Sequence, residues 1–319
     1  MTKTISFCVN KTRGFMTHNI IYNSDCISGM LRFLQDNSID LVLTDPPYGL
    51  SKGLIDHDEA RETRKEGGFN QLFTGKGVWD CFETEQEFTD FTESWLLSCY
   101  QKLKEGGHIF TFGTHHNIFI TYNLLHKLNY HFRQLLIWYS PVSPPSQTGK
   151  VFQHCCEYIL WATKGDNYTF NNTKERMQHL TKQIQDIFII NSLTAGNPER
   201  IEGHPTQKPT ELLSKIIKIA TNEDNLVLDC FLGSGSTMLA CQKTNRNCIG
   251  FEINQDFIEI IKRKVNFGQL PHTFELITDQ KPLDEQLIQQ TIDSYSGLIG
   301  RNQAIEIICK RGKPNVYTS

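Results

Sequence analysis

Two consecutive prolines behind an apolar run set the first constraint on this fold. Ile39-Asp40-Leu41-Val42-Leu43-Thr44 reads as a buried strand, and Asp45-Pro46-Pro47-Tyr48 follows it directly. Neither proline can donate to a ladder and each fixes its own φ, so the strand must stop there. An acid at the carboxyl end of such a strand, then a rigid turn and an aromatic ring, directs three groups into one crevice. The Asp45 carboxylate and the Pro46 carbonyl are acceptors, and Tyr48 offers a flat face. That set suits a planar ring carrying an exocyclic amino group. A proline-stiffened strand end around a core tyrosine would give the same four letters, so the rest of the chain has to decide.

The chain alternates strand and helix on either side of this point. Asn19 to Tyr22 reads as a strand, ended by Asn23-Ser24-Asp25-Cys26, and Ile27 to Leu34 as a helix with Ile27, Met30, Leu31 and Leu34 on one face. Asp25 and Asp45 then stand at carboxyl ends of parallel strands, the edge where open α/β sheets bind ligands. Glu87 to Leu103 has helical spacing of Phe88, Phe91, Trp95, Leu96 and Cys99, and Gly106-Gly107 is expected to end it before a strand from His108 to Phe112. A helix (Asn117 to Leu128) and a strand (Gln134 to Tyr139) repeat the alternation. From residue 140 to 202 it weakens, although Glu157 to Thr163 still has strand character. Thr206 and Pro209 introduce a helix with Leu212, Leu213, Ile216, Ile217 and Ala220 on one stripe. Asn225 to Asp229 is a strand of the parallel, doubly buried type.

That last strand runs into Cys230-Phe231-Leu232-Gly233-Ser234-Gly235-Ser236-Thr237 and a helix reaching Lys243. Gly233 and Gly235 let the backbone approach a ligand closely at a strand-to-helix turn. Glu252 ends the following strand, at the distance along the chain where an acid meets a ribose diol, and the helix from Gln255 to Val265 follows it. Position 238 is Met where a dinucleotide fingerprint has a third small residue, and there is no Gly-Lys-Ser/Thr to grip phosphates. With acids at Asp229 and Glu252 and no lysine in the turn, a cofactor without phosphates fits best, and S-adenosylmethionine has the required ribose, adenine and zwitterionic tail.

Asp45-Pro46-Pro47-Tyr48 resembles the catalytic tetrapeptide of DNA methyltransferases that modify exocyclic amino groups, and Phe231-x-Gly-x-Gly resembles their S-adenosylmethionine loop. The tetrapeptide precedes the loop, as in the family's circularly permuted β group. His204-Pro205-Thr206-Gln207-Lys208-Pro209, Asn23-Ser24-Asp25-Cys26, Leu103-Lys104-Glu105-Gly106-Gly107 and Trp79-Asp80 are similar to further family segments, so the resemblance spans about residues 20 to 265. It implies a Rossmann-like methyltransferase fold: α/β, a mostly parallel twisted sheet with helices on both faces. It implies catalysis by Asp45, Pro46, Pro47 and Tyr48, with Tyr48 stacking on a flipped base. It implies a cofactor held by Asp25, Cys26, Asp45, Thr206, Lys208, Asp229, Phe231, Gly233, Ser234, Gly235, Ser236, Thr237 and Glu252, with Lys208 reaching its carboxylate. The implied substrate is adenine in double-stranded DNA, an aspartate at position 45 being the family habit for that base. The cytosine amino group offers the same two hydrogens. An RNA or protein-amide methyltransferase shares the acceptor-proline-aromatic logic, and a nucleotide-binding or NAD protein shares the fold. A cognate restriction endonuclease and a second copy of the chain are further partners the family allows.

On this reading residues 19–139 form the catalytic half, with a polar loop at 49–77. Residues 140–202 form a DNA-recognition insertion, 203–265 the cofactor half, and 266–319 an extension of unassigned role. Composition narrows the setting. The 319 residues are 39% hydrophobic and 21% charged, a globular balance. A net charge of −3 asks a DNA enzyme to concentrate positive potential in a cleft, although the last twenty residues carry +3. The ten cysteines include no C-x-x-C, and His115-His116 lack a third ligand at zinc spacing, so no metal is expected. No apolar run is long enough to span a bilayer and the first residues lack a leader's apolar stretch, so no membrane partner and a cytoplasmic setting are expected.

Overall fold

The computed structural model describes residues 3–6, 19–49, 82, 84–143, 150, 152–172, 184–194, 196–200, 206–266 and 274–278. The loop expected at 49–77 (beyond Gly49), Trp79-Asp80, His204-Pro205 and most of the 266–319 extension lie outside the described residues.

Ten strands form one sheet: β1 (Lys3–Ser6), β2 (Asn19–Asn23), β3 (Ile39–Thr44), β4 (Leu103–Gly113), β5 (His131–Tyr139), β6 (Cys156–Thr163), β7 (Ile187–Ile189), β8 (Leu226–Asp229), β9 (Asn247–Phe251) and β10 (Phe274–Thr278). Their order is β1-β10-β2-β9-β8-β3-β4-β6-β5-β7. β10, β2, β9, β8, β3 and β4 are parallel neighbours, and β7 runs parallel to β5. Only β6 and β1 oppose their neighbours. Two strands from the 140–202 segment, β6 and β7, thus belong to the main sheet.

Because successive side chains of a strand point to opposite faces, the central strands feed two cores. On one face Leu41 and Leu43 join Phe110, Phe112 and Val227 beneath α4 (Thr210–Ala220), α5 (Ser236–Lys243) and α6 (Gln255–Asn266). On the other, Val42 joins Ile109, Leu228 and Phe251 beneath α1 (Cys26–Phe33), α2 (Glu85–Lys102) and α3 (Ile118–Lys127). Gly29 on α1 lies so close to the Phe251 ring that an added Cβ would meet it at 2.3 Å, so the α1–β9 contact needs a glycine.

Two expectations are corrected. Gly106-Gly107 do not stop a helix; α2 ends at Lys102 and β4 runs through both glycines. Gly106 takes φ +79, and a Cβ there would stand 2.0 Å from the Asn167 carbonyl. The pairing with β3 jumps from Ile39↔Leu103 to Leu41↔His108, so the glycines absorb extra residues within a strand. Beyond Asn266, where periodicity fades, Phe274–Thr278 still forms β10, parallel to β2, with Leu276 buried.

Candidate active site

The carboxyl ends of β2, β3, β8 and β9 converge on one cavity of about 270 Å³. It is lined by residues 24–26, 44–48, 206–208, 229–234, 236, 237 and 251–253, with Phe91, Phe112, Leu213 and Phe257. Every residue the sequence nominates reaches it except Gly235. That glycine takes φ +82 at the N-terminus of α5, and the space a side chain would fill faces Ile261, so it shapes the turn.

The two parallel strand ends are tied together at the floor. Thr44, the last residue of β3, donates its hydroxyl to Asp229 Oδ1 at 2.7 Å, and the Phe231 amide donates to the same oxygen at 3.1 Å. Burial pushes the Asp229 carboxyl up to about 6, against the hydrogen bonds from Thr237, Thr44 and Phe231. One strand over, Glu252 Oε2 accepts from the Gly233 amide at 2.8 Å and Oε1 from the Asn254 amide at 2.7 Å. Burial again dominates and pushes Glu252 up to about 7, although these amides favour its ionised form. Asp25 caps α1, accepting from the Ser28 amide at 2.9 Å, a bond worth about 1 kcal/mol to the helix. Phe231 meets Trp95 edge-on at 5.7 Å and Phe91 at 6.0 Å. The Ser236 hydroxyl is buried on the cavity wall with no partner among the described residues, a group that a polar ligand would satisfy.

The other end of the cavity is built from ionised side chains. Pro46 and Pro47 are buried, and Asp45 and Tyr48 are half-buried. Tyr48 Oη donates to Asp45 Oδ1 and lies 3.1 Å from Glu157 Oε2. Lys208 Nζ, with its side chain 6% exposed, contacts Asp45 Oδ2 at 2.5 Å, Glu157 Oε2 at 3.2 Å and Tyr48 Oη at 3.3 Å. Burial alone would lower the Lys208 ammonium; the Asp45 and Glu157 carboxylates outweigh it and hold it above the ordinary lysine value. Burial and the same two carboxylates push the Tyr48 phenol well up, so it keeps its proton. Glu199 fixes the segment bearing Lys208: its Oε1 accepts from the Thr210 amide at the start of α4, and its carbonyl from Gln207 Nε2.

The structure adds to two sequence expectations. Lys208, which the resemblance assigns to a cofactor carboxylate, lines the cavity and is also engaged by Asp45 and Glu157, because a buried ammonium needs counter-charges. Tyr48, read as a ring face, also uses its hydroxyl. Sequence reasoning missed Glu157. It is the second residue of β6, the antiparallel strand, and so arrives at the carboxyl edge of β3 and β4 from the opposite direction. Its signal was an acid near the start of an otherwise apolar strand.

Residues 39–263 match a family model described as DNA methylase. The chain is 37% identical over 247 residues to the type II methyltransferase M2.MboI of Moraxella bovis, covering 76% of this chain and 86% of that protein. It is 30% identical over 244 residues to the type II methyltransferase M2.LlaDCHI of Lactococcus lactis subsp. cremoris, covering 75% and 86%. Among solved structures it resembles the M1.HpyAVI–SAM complex, with TM-score 0.56 at 23% identity over 77% of this chain and 98% of that one. It also resembles the PvuII DNA methyltransferase (cytosine-N4-specific), with TM-score 0.61 at 18% identity over 93% and 94%. At these identities the structural likeness is one of fold.

Proposed function

The chain belongs to the N6/N4 DNA methylase family, and we propose from this that its crevice methylates the N6 amino group of adenine at specific sites in duplex DNA, with S-adenosylmethionine as methyl donor. The sheet is that of the S-adenosylmethionine-dependent DNA methyltransferase fold. One observation carries the reading: the Asp45–Tyr48 turn and the Phe231–Thr237 turn with Glu252 line the same cavity, from opposite sides of the β3–β8 contact.

Bound S-adenosylmethionine supplies an electrophilic methyl group. Glu252 suits its ribose diol, the Ser236 hydroxyl, without a partner among the described residues, suits a polar group of it, and Asp25, Cys26, Thr206, Asp229, Phe231, Gly233, Ser234 and Thr237 complete the walls. The amino nitrogen of adenine is a poor nucleophile because its lone pair is delocalised into the ring. Acceptors at Asp45 and the Pro46 carbonyl draw on its two hydrogens and favour a pyramidal, nucleophilic nitrogen, and alignment supplies much of the rate. The target atom is hidden in a duplex, so the base is flipped out, and the Tyr48 ring stacks on it. Recognition of the DNA sequence belongs to residues 140–202 and the 49–77 loop, and a restriction endonuclease of the same site is the natural partner. The cofactor half ends near residue 265, and the extension beyond it has no assigned part in the chemistry.

The test is product identity. Duplex DNA treated with protein and cofactor, digested to nucleosides and examined by mass spectrometry, should contain N6-methyladenine. N4-methylcytosine would move the reading to the other base, and unmodified DNA would overturn it.

A further inference from the structure

Each oxygen of Asp45 already accepts from one donor. Tyr48 Oη donates to Oδ1 and the Lys208 ammonium holds Oδ2 at 2.5 Å. An amino group approaching Asp45 therefore competes with these donors for its lone pairs, and a donor that gives way in a buried site needs a second acceptor. Both donors have one, and it is the same atom. Glu157 Oε2 lies 3.1 Å from Tyr48 Oη and 3.2 Å from Lys208 Nζ. The single phenol proton can serve Asp45 or Glu157 but not both at once. One ammonium between two carboxylates also leaves one negative charge uncompensated. Where that charge resides depends on which acid the ammonium follows.

Among the described residues the remaining surroundings of Lys208 add no rival acceptor. It stands 5.2 Å from the Phe112 ring centre and 5.6 Å from that of Tyr48, both faces that tolerate a cation without fixing it. Glu157 is 28% exposed and does not line the cofactor cavity, so its contacts can change without rebuilding that wall.

We propose that Glu157 is a positioning residue for methyl transfer: the acceptor to which Lys208 and the Tyr48 hydroxyl pass when the exocyclic amino group takes Asp45. The inference rests on the reading of Asp45 as the acceptor of that amino group. Asp45 is masked in the protein alone and unmasked by substrate, and only hydrogen bonds move. The exchange requires no covalent or redox step. Without Glu157, Lys208 keeps Asp45 as its only carboxylate partner among the described residues, and the mask stays on.

The experiment is steady-state methylation of duplex DNA at saturating S-adenosylmethionine by wild type, Glu157→Gln, Glu157→Asp and the double variant Glu157→Gln/Lys208→Met. Melting temperature and cofactor affinity are measured alongside. Glu157→Gln is isosteric at a partly exposed site. It should lower kcat by about ten- to a hundred-fold, the range for a hydrogen bond to a charged group, with cofactor affinity unchanged. Glu157→Asp should recover part of the loss. The double variant should exceed Glu157→Gln alone, because removing the ammonium unmasks Asp45. An unchanged kcat in Glu157→Gln, or a double variant slower than the single one, overturns the inference alone. A wild-type protein that methylates no amino group overturns the functional reading and this inference with it.

Discussion

The two ends of the cavity are built by different means. At the end proposed for the cofactor, backbone amides make most of the contacts to the acids, Glu252 with Gly233 and Asn254 and Asp229 with Phe231, and the Thr44 hydroxyl adds to Asp229 from β3. At the end proposed for catalysis the contacts to the acids come from side chains, Tyr48 beside Asp45 in the same turn and Lys208 from a distant part of the chain. Lys208 reaches Asp45 across 163 positions, and Tyr48 reaches Glu157 across 109. Amides on a strand-to-helix turn cannot leave their acceptors without unfolding the turn, so the cofactor end is preorganised. Ammonium and phenol groups can exchange acceptors, so the catalytic end can be rearranged by its substrate. A site that binds one ligand for shape and must yield an acceptor to another uses both constructions.

The sharpest separation of the two ends is Asp45→Ala. Methyl transfer should fall by at least about 10²–10³, the loss expected for a transition-state contact in a dry pocket. Cofactor affinity should persist, because Lys208 retains Glu157. Parallel loss of cofactor binding in calorimetry would mean that the two ends are one structural unit. Next in size, Glu252→Ala removes the acceptor of two partly buried amides and should weaken cofactor binding by about ten- to a hundred-fold. Its kcat at saturating cofactor should be affected far less.

Tyr48 belongs to both descriptions, ring and hydroxyl, and its variants divide them. Tyr48→Ala should cost about 1–3 kcal/mol in capture of the flipped base, by analogy with base stacking. Tyr48→Phe keeps the ring and loses only the hydrogen bond to the Asp45 carboxylate, about 1.5–3 kcal/mol at most. Equal inactivity of the two would give the hydroxyl a direct role in the chemistry.

A further effect is in the pH dependence of stability at the cofactor end. Glu252 sits near 7, above the ordinary glutamate value, so the folded protein holds a proton there that the unfolded chain releases. Asp229, near 6, acts in the same sense. Their joint contribution to stability is therefore present at acid pH and lost as pH rises from about 4 to about 7, on the order of a few kcal/mol. Cofactor affinity should move the other way, since ribose hydroxyls donate to the ionised carboxylate. Glu252→Gln should flatten both trends in denaturant melts and titrations across pH 5 to 8; unaltered trends would assign them to other groups.

How far the sequence reveals this site follows the same division. The β3 run and its prolines, the glycine turn and Glu252 are read from letters because each is a local device, with strand, breaker and amide turn contiguous. Glu157 was invisible because nothing in its neighbourhood names Tyr48; the antiparallel return of β6 brings them together. The partners of Lys208 were likewise set by topology. Within the fold, the Gly106-Gly107 pair was read as a helix stop because glycine serves both caps and bulges. β10 escaped notice because a strand of five residues is too short to show a clear period.

If both ends of the cavity serve one reaction, a crystal structure of the protein with S-adenosylmethionine should place the ribose at Glu252 and the sulfonium methyl facing the Asp45–Tyr48 turn. A cofactor seated elsewhere, or seated with its methyl directed away from Asp45, would contradict it.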